Sequence, residues 1–180
     1  MKFKIFSILG STRDGSVNEA LLKGLAATYA ETLNLEIFRD VASLPFFIPG
    51  VQDEQIAPAV RSFRDSISKA DGVIISTPEY VFSMPGALKN ALEWTVSTTV
   101  FMHKPLALIV AAGLGEKTLE SLVLVMETLG AVIPSEAKLL LSGARAKVNE
   151  YGLITDSETQ TKLKLLINAL KDCIFAARDN

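Results

Sequence analysis

Between residues 9 and 18 the chain reads Leu-Gly-Ser-Thr-Arg-Asp-Gly-Ser-Val-Asn, directly after an apolar run and directly before an amphipathic one. A strand that turns over small and hydroxylated residues into a helix aims several backbone N–H groups at one point. Such a point attracts an anion, most often a phosphate. Ser11, Thr12 and Ser16 add hydroxyl donors, Asn18 an amide and Arg13 a full positive charge. A plainer reading explains part of this. Ser16 and Glu19 have the spacing of a capping box, which stabilises a helix start with no ligand present, and Gly10 and Gly15 permit tight turns. The box accounts for Ser16 but not for Arg13, Ser11 and Asn18 in the same turn. Two familiar phosphate loops, G-x-G-x-x-G and G-x-x-x-x-G-K-[ST], are absent.

A second cluster runs from Thr77 to Trp94, Thr-Pro-Glu-Tyr-Val-Phe-Ser-Met-Pro-Gly-Ala-Leu-Lys-Asn-Ala-Leu-Glu-Trp. Pro78 and Pro85 stiffen it, and Tyr80, Phe82 and Met84 offer flat or soft apolar surface. That surface suits a planar aromatic ligand whose polar edge meets backbone groups, or equally a contact with another subunit. Lys89, Asn90 and Glu93 read as solvated helix positions, and Trp94 as packed in or near the core. A third segment, Ala112-Gly113-Leu114-Gly115-Glu116-Lys117, is small enough for a backbone to approach a ligand closely, or is a plain turn into a helix. His103 is the only histidine and Cys173 the only cysteine, so no metal-ligand set and no catalytic side chain is assigned.

These segments need strands and helices to hold them. Apolar runs at 3–9, 35–39, 72–77 and 106–112 read as strands, with further candidates at 131–133 and 138–141 around Pro134. Between them, apolar residues recur at helical spacing: Leu21, Leu22, Leu25, Ala26, Tyr29 and Leu33; then Val60, Phe63, Ile67 and Ala70 behind Pro58 in a first turn. A helix is expected over 85–97, and another along Leu119, Leu122, Val123, Met126 and Leu129, stopped by Gly130. The last helix begins after a Thr155–Glu158 capping box and buries Leu163, Leu166, Ile167, Leu170 and Ile174. Residues 40–55, with Pro45, Phe46, Phe47, Pro49 and Gly50, read as loop. Strand–helix alternation with uninterrupted apolar strands predicts a parallel sheet covered on both faces. Five strands and five helices suit an α/β three-layer sandwich of flavodoxin-like order, 2-1-3-4-5. In such a sheet the ligand lies at the carboxyl ends of the strands where the winding reverses, between strands 1 and 3. The loops after Leu9, Thr77 and Ala112 all fall there.

At 180 residues and 49% hydrophobic content, the chain is expected to form one domain over 1–180 with a sizeable core. A net charge of −2 without a basic run argues against nucleic-acid binding and polybasic membrane contact. No apolar stretch reaches bilayer length, and the short run behind Lys2 and Lys4 reads as a buried strand, not a signal peptide. A lone cysteine fits a reducing compartment, the cytoplasm.

Gly10-Ser11-Thr12-Arg13-x-Gly-Ser16-x-Asn18, Pro78-Glu79-Tyr80 and Pro85-Gly86-x-Leu88-Lys89-Asn90-Ala91 together strongly resemble the NADPH-dependent FMN reductases, a family that includes quinone, azo-dye and chromate reductases. The likeness runs from the first strand to Tyr151-Gly152-x-Ile154-Thr155-Asp156. It implies bound FMN and NADPH or NADH as electron donor, with quinone, azo, metal-oxyanion or free-flavin acceptors. It also implies that Ser11, Arg13, Ser16 and Asn18, with the helix N–H groups at Val17, hold the phosphate. Pro78, Glu79, Tyr80 and the following backbone at Val81 and Phe82 would hold the isoalloxazine, with Gly113 near its far side. The redox chemistry would belong to the flavin, and the assembly would be a homodimer or homotetramer. Two features depart from the family pattern. Family members usually carry Asn directly after Pro-Glu-Tyr, where this chain has Val81, and their third loop is usually a longer Ser/Gly-rich turn. Rival readings are a flavodoxin-type electron carrier, against which Arg13 and the weak net charge argue, and a non-catalytic flavin-binding protein. A short-chain dehydrogenase is excluded, since Tyr29, Tyr80 and Tyr151 lack a lysine four residues on.

Overall fold

The three central strands, Phe3–Leu9, Gly72–Thr77 and Leu106–Ala112, are covered on both faces and buried along almost their whole length, whereas the edge strands Leu33–Phe38 and Lys138–Ser142 alternate in burial. The computed structural model describes residues 2–149, 151 and 153–178, so Gly152 of the last motif lies outside the described residues. Its elements are β1 (Phe3–Leu9), α1 (Val17–Thr28), β2 (Leu33–Phe38), α2 (Pro58–Lys69), β3 (Gly72–Thr77), α3 (Gly86–Glu93), β4 (Leu106–Ala112), α4 (Glu116–Thr128), β5 (Lys138–Ser142), α5 (Ala144–Lys147) and α6 (Ser157–Arg178). All five strands are parallel in the order β2-β1-β3-β4-β5, as the apolar pattern predicts.

Successive side chains of a strand point to opposite faces. Phe6 and Ile8 of β1 therefore join Val60, Phe63 and Ile67 of α2, Leu88 of α3 and Leu122 and Met126 of α4 in one core. Phe3, Ile5 and Leu9 join Leu21, Leu22 and Leu25 of α1 and Leu166, Ile167, Leu170 and Ile174 of α6 in the other. The central strands β3 and β4 contribute to both.

Several boundaries differ from the sequence expectation, each for a local reason. Leu33 does not extend the α1 face: the helix closes at Tyr29, and Leu33 opens β2 in register with Phe3. Helix α3 stops at Glu93, not 97, because the Thr95 and Thr98 hydroxyls donate to the Leu92 and Thr95 carbonyls and compete with helical bonding. Residues 131–133 make a single bridge, Val132 to Pro105, before Pro134 and a 3-10 turn lead into β5. Thr155 does not cap α6. The Asp156 carboxylate accepts the Thr159 N–H at 2.9 Å, while Thr155 donates its hydroxyl to Lys147. The four-residue helix α5 raises the helix count above the expected five.

Asn90 is not a solvated helix position. It is buried, its side-chain oxygen accepts the Phe47 N–H at 2.8 Å, and its amide donates to Pro45 O at 3.0 Å. Trp94 Nε1 donates to the same carbonyl at 2.7 Å, so α3 clamps the long 40–55 loop. Lys89 and Glu93 do form an ordinary surface ion pair, at 2.7 Å.

Candidate functional site

The chain leaves β1 for β2 on one side, then crosses back to β3 on the other, so the loops after β1 and β3 part and leave a crevice between them. Gly10 lets them start close together: its N–H donates to Ser76 O at 2.8 Å, and a Cβ there would lie 2.5 Å from Thr77 Oγ1. A cavity of about 690 Å3 opens above this point. Ser11, Arg13, Ser16, Val17 and Asn18 line one side, Pro78, Glu79 and Tyr80 another, and Ala111, Ala112 and Gly113 at the end of β4 a third.

The first loop gathers hydrogen-bond donors around a capped helix start. Ser11 and Ser16 are buried, and the Ser16 hydroxyl accepts the Glu19 N–H at 3.2 Å. Glu19 answers by accepting the Gly15 N–H at 3.0 Å, so the expected capping box forms one residue further out. The Glu19 carboxylate also meets Lys23 Nζ at 2.6 Å and Arg39 Nη2 at 2.9 Å. The Lys23 hydrogen bond is the main reason its pKa falls below the usual carboxylate range, helped by Gly15 and Arg39 against the opposing effect of burial. Its negative charge is thus compensated inside the protein. The backbone N–H groups of Ser16, Val17 and Asn18 find no acceptor among the described residues. Arg13 is exposed on the cavity wall and pairs with no carboxylate among the described residues.

Asn18 is used differently from the hydroxyls. Its amide donates to Ala111 O at 3.1 Å and its oxygen accepts the Ser76 hydroxyl at 2.9 Å, which stitches α1 to β3 and β4 beneath the cavity. Glu79 borders the cavity, and its carboxylate is engaged by the start of α4. Its carboxylate accepts Gly115 N–H at 3.3 Å, Thr118 N–H at 3.4 Å and Thr118 Oγ1 at 3.1 Å.

Beyond Tyr80 the chain makes a tight reversal. Tyr80 and Ser83 exchange both backbone hydrogen bonds, at 2.8 and 3.1 Å, and Val81 and Phe82 between them both have positive φ, 53° and 56°. That is the geometry of a type I′ turn, normally the place of Asn and Gly. Val81 and Phe82 do not line the cavity and stand exposed, at 95% and 69%. Met84 is not part of that surface: it is 6% exposed and packs in the core. A β-branched residue in the left-handed region costs about 1–2 kcal/mol that asparagine largely avoids. Val81→Asn is therefore expected to raise stability by about 1 kcal/mol, or about 2–4 °C in Tm for a domain of this size. An unchanged or lower melting temperature would show that the turn gains more from valine than the strain takes away.

Sequence reading missed the fourth wall. After β5, Gly143, Ala144, Arg145 and Ala146 border the cavity, and Arg145 is a second guanidinium without a carboxylate partner among the described residues. Gly143 N–H donates to Gly113 O at 3.1 Å and Ser142 Oγ to Leu114 O at 2.8 Å, tying this wall to the β4 loop. The strand order alone signals it, since β5 ends beside β4 on the same edge. His103 lies before β4, at the opposite end of the sheet, and Cys173 lies on α6 with its thiol pKa raised by burial. Among the described residues no three His, Cys, Asp or Glu side chains gather as a metal site, and no helix is long and apolar enough to cross a membrane.

Residues 3–146 match the family model for NADPH-dependent FMN reductases. Over 173 residues the chain is 29% identical to an NAD(P)H-dependent FMN reductase of Pseudomonas aeruginosa, covering 93% of both proteins. It is 30% identical over 177 residues to a 2-hydroxy-1,4-benzoquinone reductase of a Burkholderia species, covering 93% of this chain and 94% of that one. A quinone reductase of Escherichia coli is 37% identical over 94 residues; that match spans 52% of this chain and half the length of the relative. The solved structure of FerB, a flavoenzyme NAD(P)H:(acceptor) oxidoreductase from Paracoccus denitrificans, superposes with a TM-score of 0.85 over 97% of this chain and 98% of that one, at 24% identity, a likeness of fold. With a family match across most of its length and a site at the expected edge of the sheet, the chain belongs to the NADPH-dependent FMN reductase family.

Proposed function

We propose that this protein is an FMN-dependent NAD(P)H oxidoreductase that passes reducing equivalents to small-molecule acceptors of the quinone, azo, metal-oxyanion or free-flavin type. The carrying observation is one cavity with a donor-rich, cationic end and an apolar body. The Ser11 and Ser16 hydroxyls, unpaired helix N–H groups and Arg13 suit a phosphomonoester. Pro78, Tyr80, Ala111, Ala112 and the bare backbone of Gly113 suit a flat ring, and a Cβ at Gly113 would meet nothing within 4 Å. The volume of about 690 Å3 is that of a cofactor-sized site. The residues present therefore fit FMN.

When bound, FMN supplies the hydride and electron chemistry. The protein's part is to bind and orient. Arg13 and the hydroxyls hold the phosphate end, while Asn18 fixes the helix that carries the N–H groups. The N–H groups of Val81 and Phe82 meet no acceptor among the described residues and follow directly on Tyr80 of the lining, so they would serve the polar edge of a ring that reaches past it. Arg145 adds positive potential from the β5 side, which favours negative charge gathering in the site. No protein acid or base is needed in this scheme. A cytoplasmic location suits a chain with one cysteine, and small molecules rather than nucleic acid or membrane are its partners.

Anaerobic titration tests the reading. Protein loaded with FMN should lose its visible flavin absorption on addition of NADPH or NADH and regain it with a quinone. Bound flavin that neither nucleotide bleaches would favour an electron carrier, and failure to bind FMN would overturn the proposal.

The assembly is proposed to be a homodimer or homotetramer whose subunits meet near the cavity. Val81 and Phe82 support this, being apolar, exposed and outside the cavity lining; surface of this kind marks interfaces, and closed symmetric assemblies are the commonest result. Phe82→Asp is expected to dissociate the protein and lower its flavin occupancy together. A monomer by light scattering at micromolar concentration for the unmodified protein would refute self-association.

A further inference from the structure

We propose that Glu79 is a positioning residue whose carboxylate shapes the ring-binding wall by docking onto the first turn of α4 instead of meeting the ligand. The inference rests on the flavin reading of the cavity. Helix α4 starts from Gly115, whose φ of +106° and lack of a side chain leave it without a cap of its own. A side chain there would be strained by that φ and would bring a Cβ within 2.7 Å of Leu140 Cδ1. The missing acceptor comes from Glu79, 36 residues earlier: one carboxylate oxygen takes the Gly115 N–H, the other the Thr118 N–H and hydroxyl. A carboxylate is also the side chain that a helix start favours electrostatically.

Two walls of the cavity are thereby fastened together. Glu79 belongs to the loop after β3, and Gly115 and Thr118 to the loop and helix after β4, which Gly143 and Ser142 tie in turn to the β5 wall. The same anchor stands immediately before the Tyr80–Ser83 reversal, where two non-glycine residues are held at positive φ. A strained turn of this kind persists only where its surroundings over-determine it. Here the restraint before the turn is the Glu79 carboxylate and the restraint after it is the buried Met84. Releasing the first lets the turn relax and moves the free N–H groups of Val81 and Phe82. The phosphate cradle on α1 shares none of these bonds.

That separation gives the test. Apoprotein is titrated with FMN and with riboflavin, following flavin fluorescence and the position of the visible absorption band. Glu79→Ala is expected to weaken both flavins equally, about tenfold, the scale of one charge-assisted hydrogen bond, and to shift the band. Glu79→Gln, which keeps an acceptor, should return both affinities to within about threefold of the unmodified protein. Thr118→Val removes one donor without touching the loop after β3 and should weaken both flavins about threefold; it carries the test if Glu79→Ala fails to fold. Unchanged affinities and band position in Glu79→Ala, or in Thr118→Val where that variant carries the test, would overturn the inference and leave Glu79 a helix cap only. If the unmodified protein binds neither flavin, the flavin reading itself fails and takes this inference with it.

Discussion

Arg13→Ala is expected to weaken FMN about ten- to a hundredfold and to leave riboflavin almost untouched, because a charge-assisted contact to a phosphate is worth about 1.5–3 kcal/mol and riboflavin has no phosphate. The structure sharpens the reason. Arg13 borders the cavity and pairs with no carboxylate among the described residues, so its charge is available to a ligand. Glu19, the acid on the adjoining helix turn, is buried and compensated by Lys23 and Arg39, so it does not draw Arg13 away. The N–H groups of Ser16, Val17 and Asn18 remain in the variant, which is why the loss should stop short of abolishing binding. Comparison of FMN and riboflavin dissociation constants decides it. Equal loss of both ligands would mean that Arg13 shapes the loop instead of touching phosphate.

The sheet was legible because its central strands are buried on both faces, so that Gly72–Thr77 and Leu106–Ala112 run without polar–apolar alternation. Short-range chemistry was legible too: the Ser16–Glu19 pairing and the Gly130 stop depend on neighbours a few residues away. What stayed hidden depends on partners far along the chain. The side-chain partners of Asn18, Ser76 and Ala111, are brought beneath it by β3 and β4 and cannot be read from its own turn. Asn90 looks solvated until the loop at Pro45 and Phe47 folds over it. The partners of the Glu79 carboxylate, Gly115 and Thr118, come from 36 and 39 residues away and leave no local signal. Arg145 was missed because residues 142–154 carry no periodic signal, although the strand order puts the end of β5 at the site. In each case a polar side chain has several possible partners, and only the tertiary fold selects one.

Gly10→Ala should be the most damaging small substitution at the site, through geometry alone. Gly10 links β1 to the loop that leads into α1, at the point where the sheet reverses its winding, and its N–H is bound to Ser76 O on β3 at 2.8 Å. An added Cβ would stand 2.5 Å from Thr77 Oγ1, 2.8 Å from Thr77 Cβ and 2.9 Å from Leu88 Cδ2, closer than real methyl contacts allow. Thr77 has little freedom to yield. It is β-branched and fully buried at the end of β3, and its hydroxyl donates to Pro78 O at 3.1 Å. The strain must be relieved by moving the end of β1 away from β3, which carries Ser11 and Arg13 away from Pro78 and Tyr80. Overpacking of this kind costs about 1–3 kcal/mol, and urea denaturation should show a loss of that size. FMN affinity should fall at least about tenfold, the equivalent of about 1.4 kcal/mol, because both ends of the ligand can no longer be met at once. Riboflavin should lose less, since it needs only the ring wall. Adding Thr77→Ala removes the nearest contact and should recover part of both losses, a coupling that two independent sites would not show. Stability within about 0.5 kcal/mol of the unmodified protein, with undiminished FMN binding, would mean that the two loops tolerate a wider crevice than their hydrogen bonds indicate.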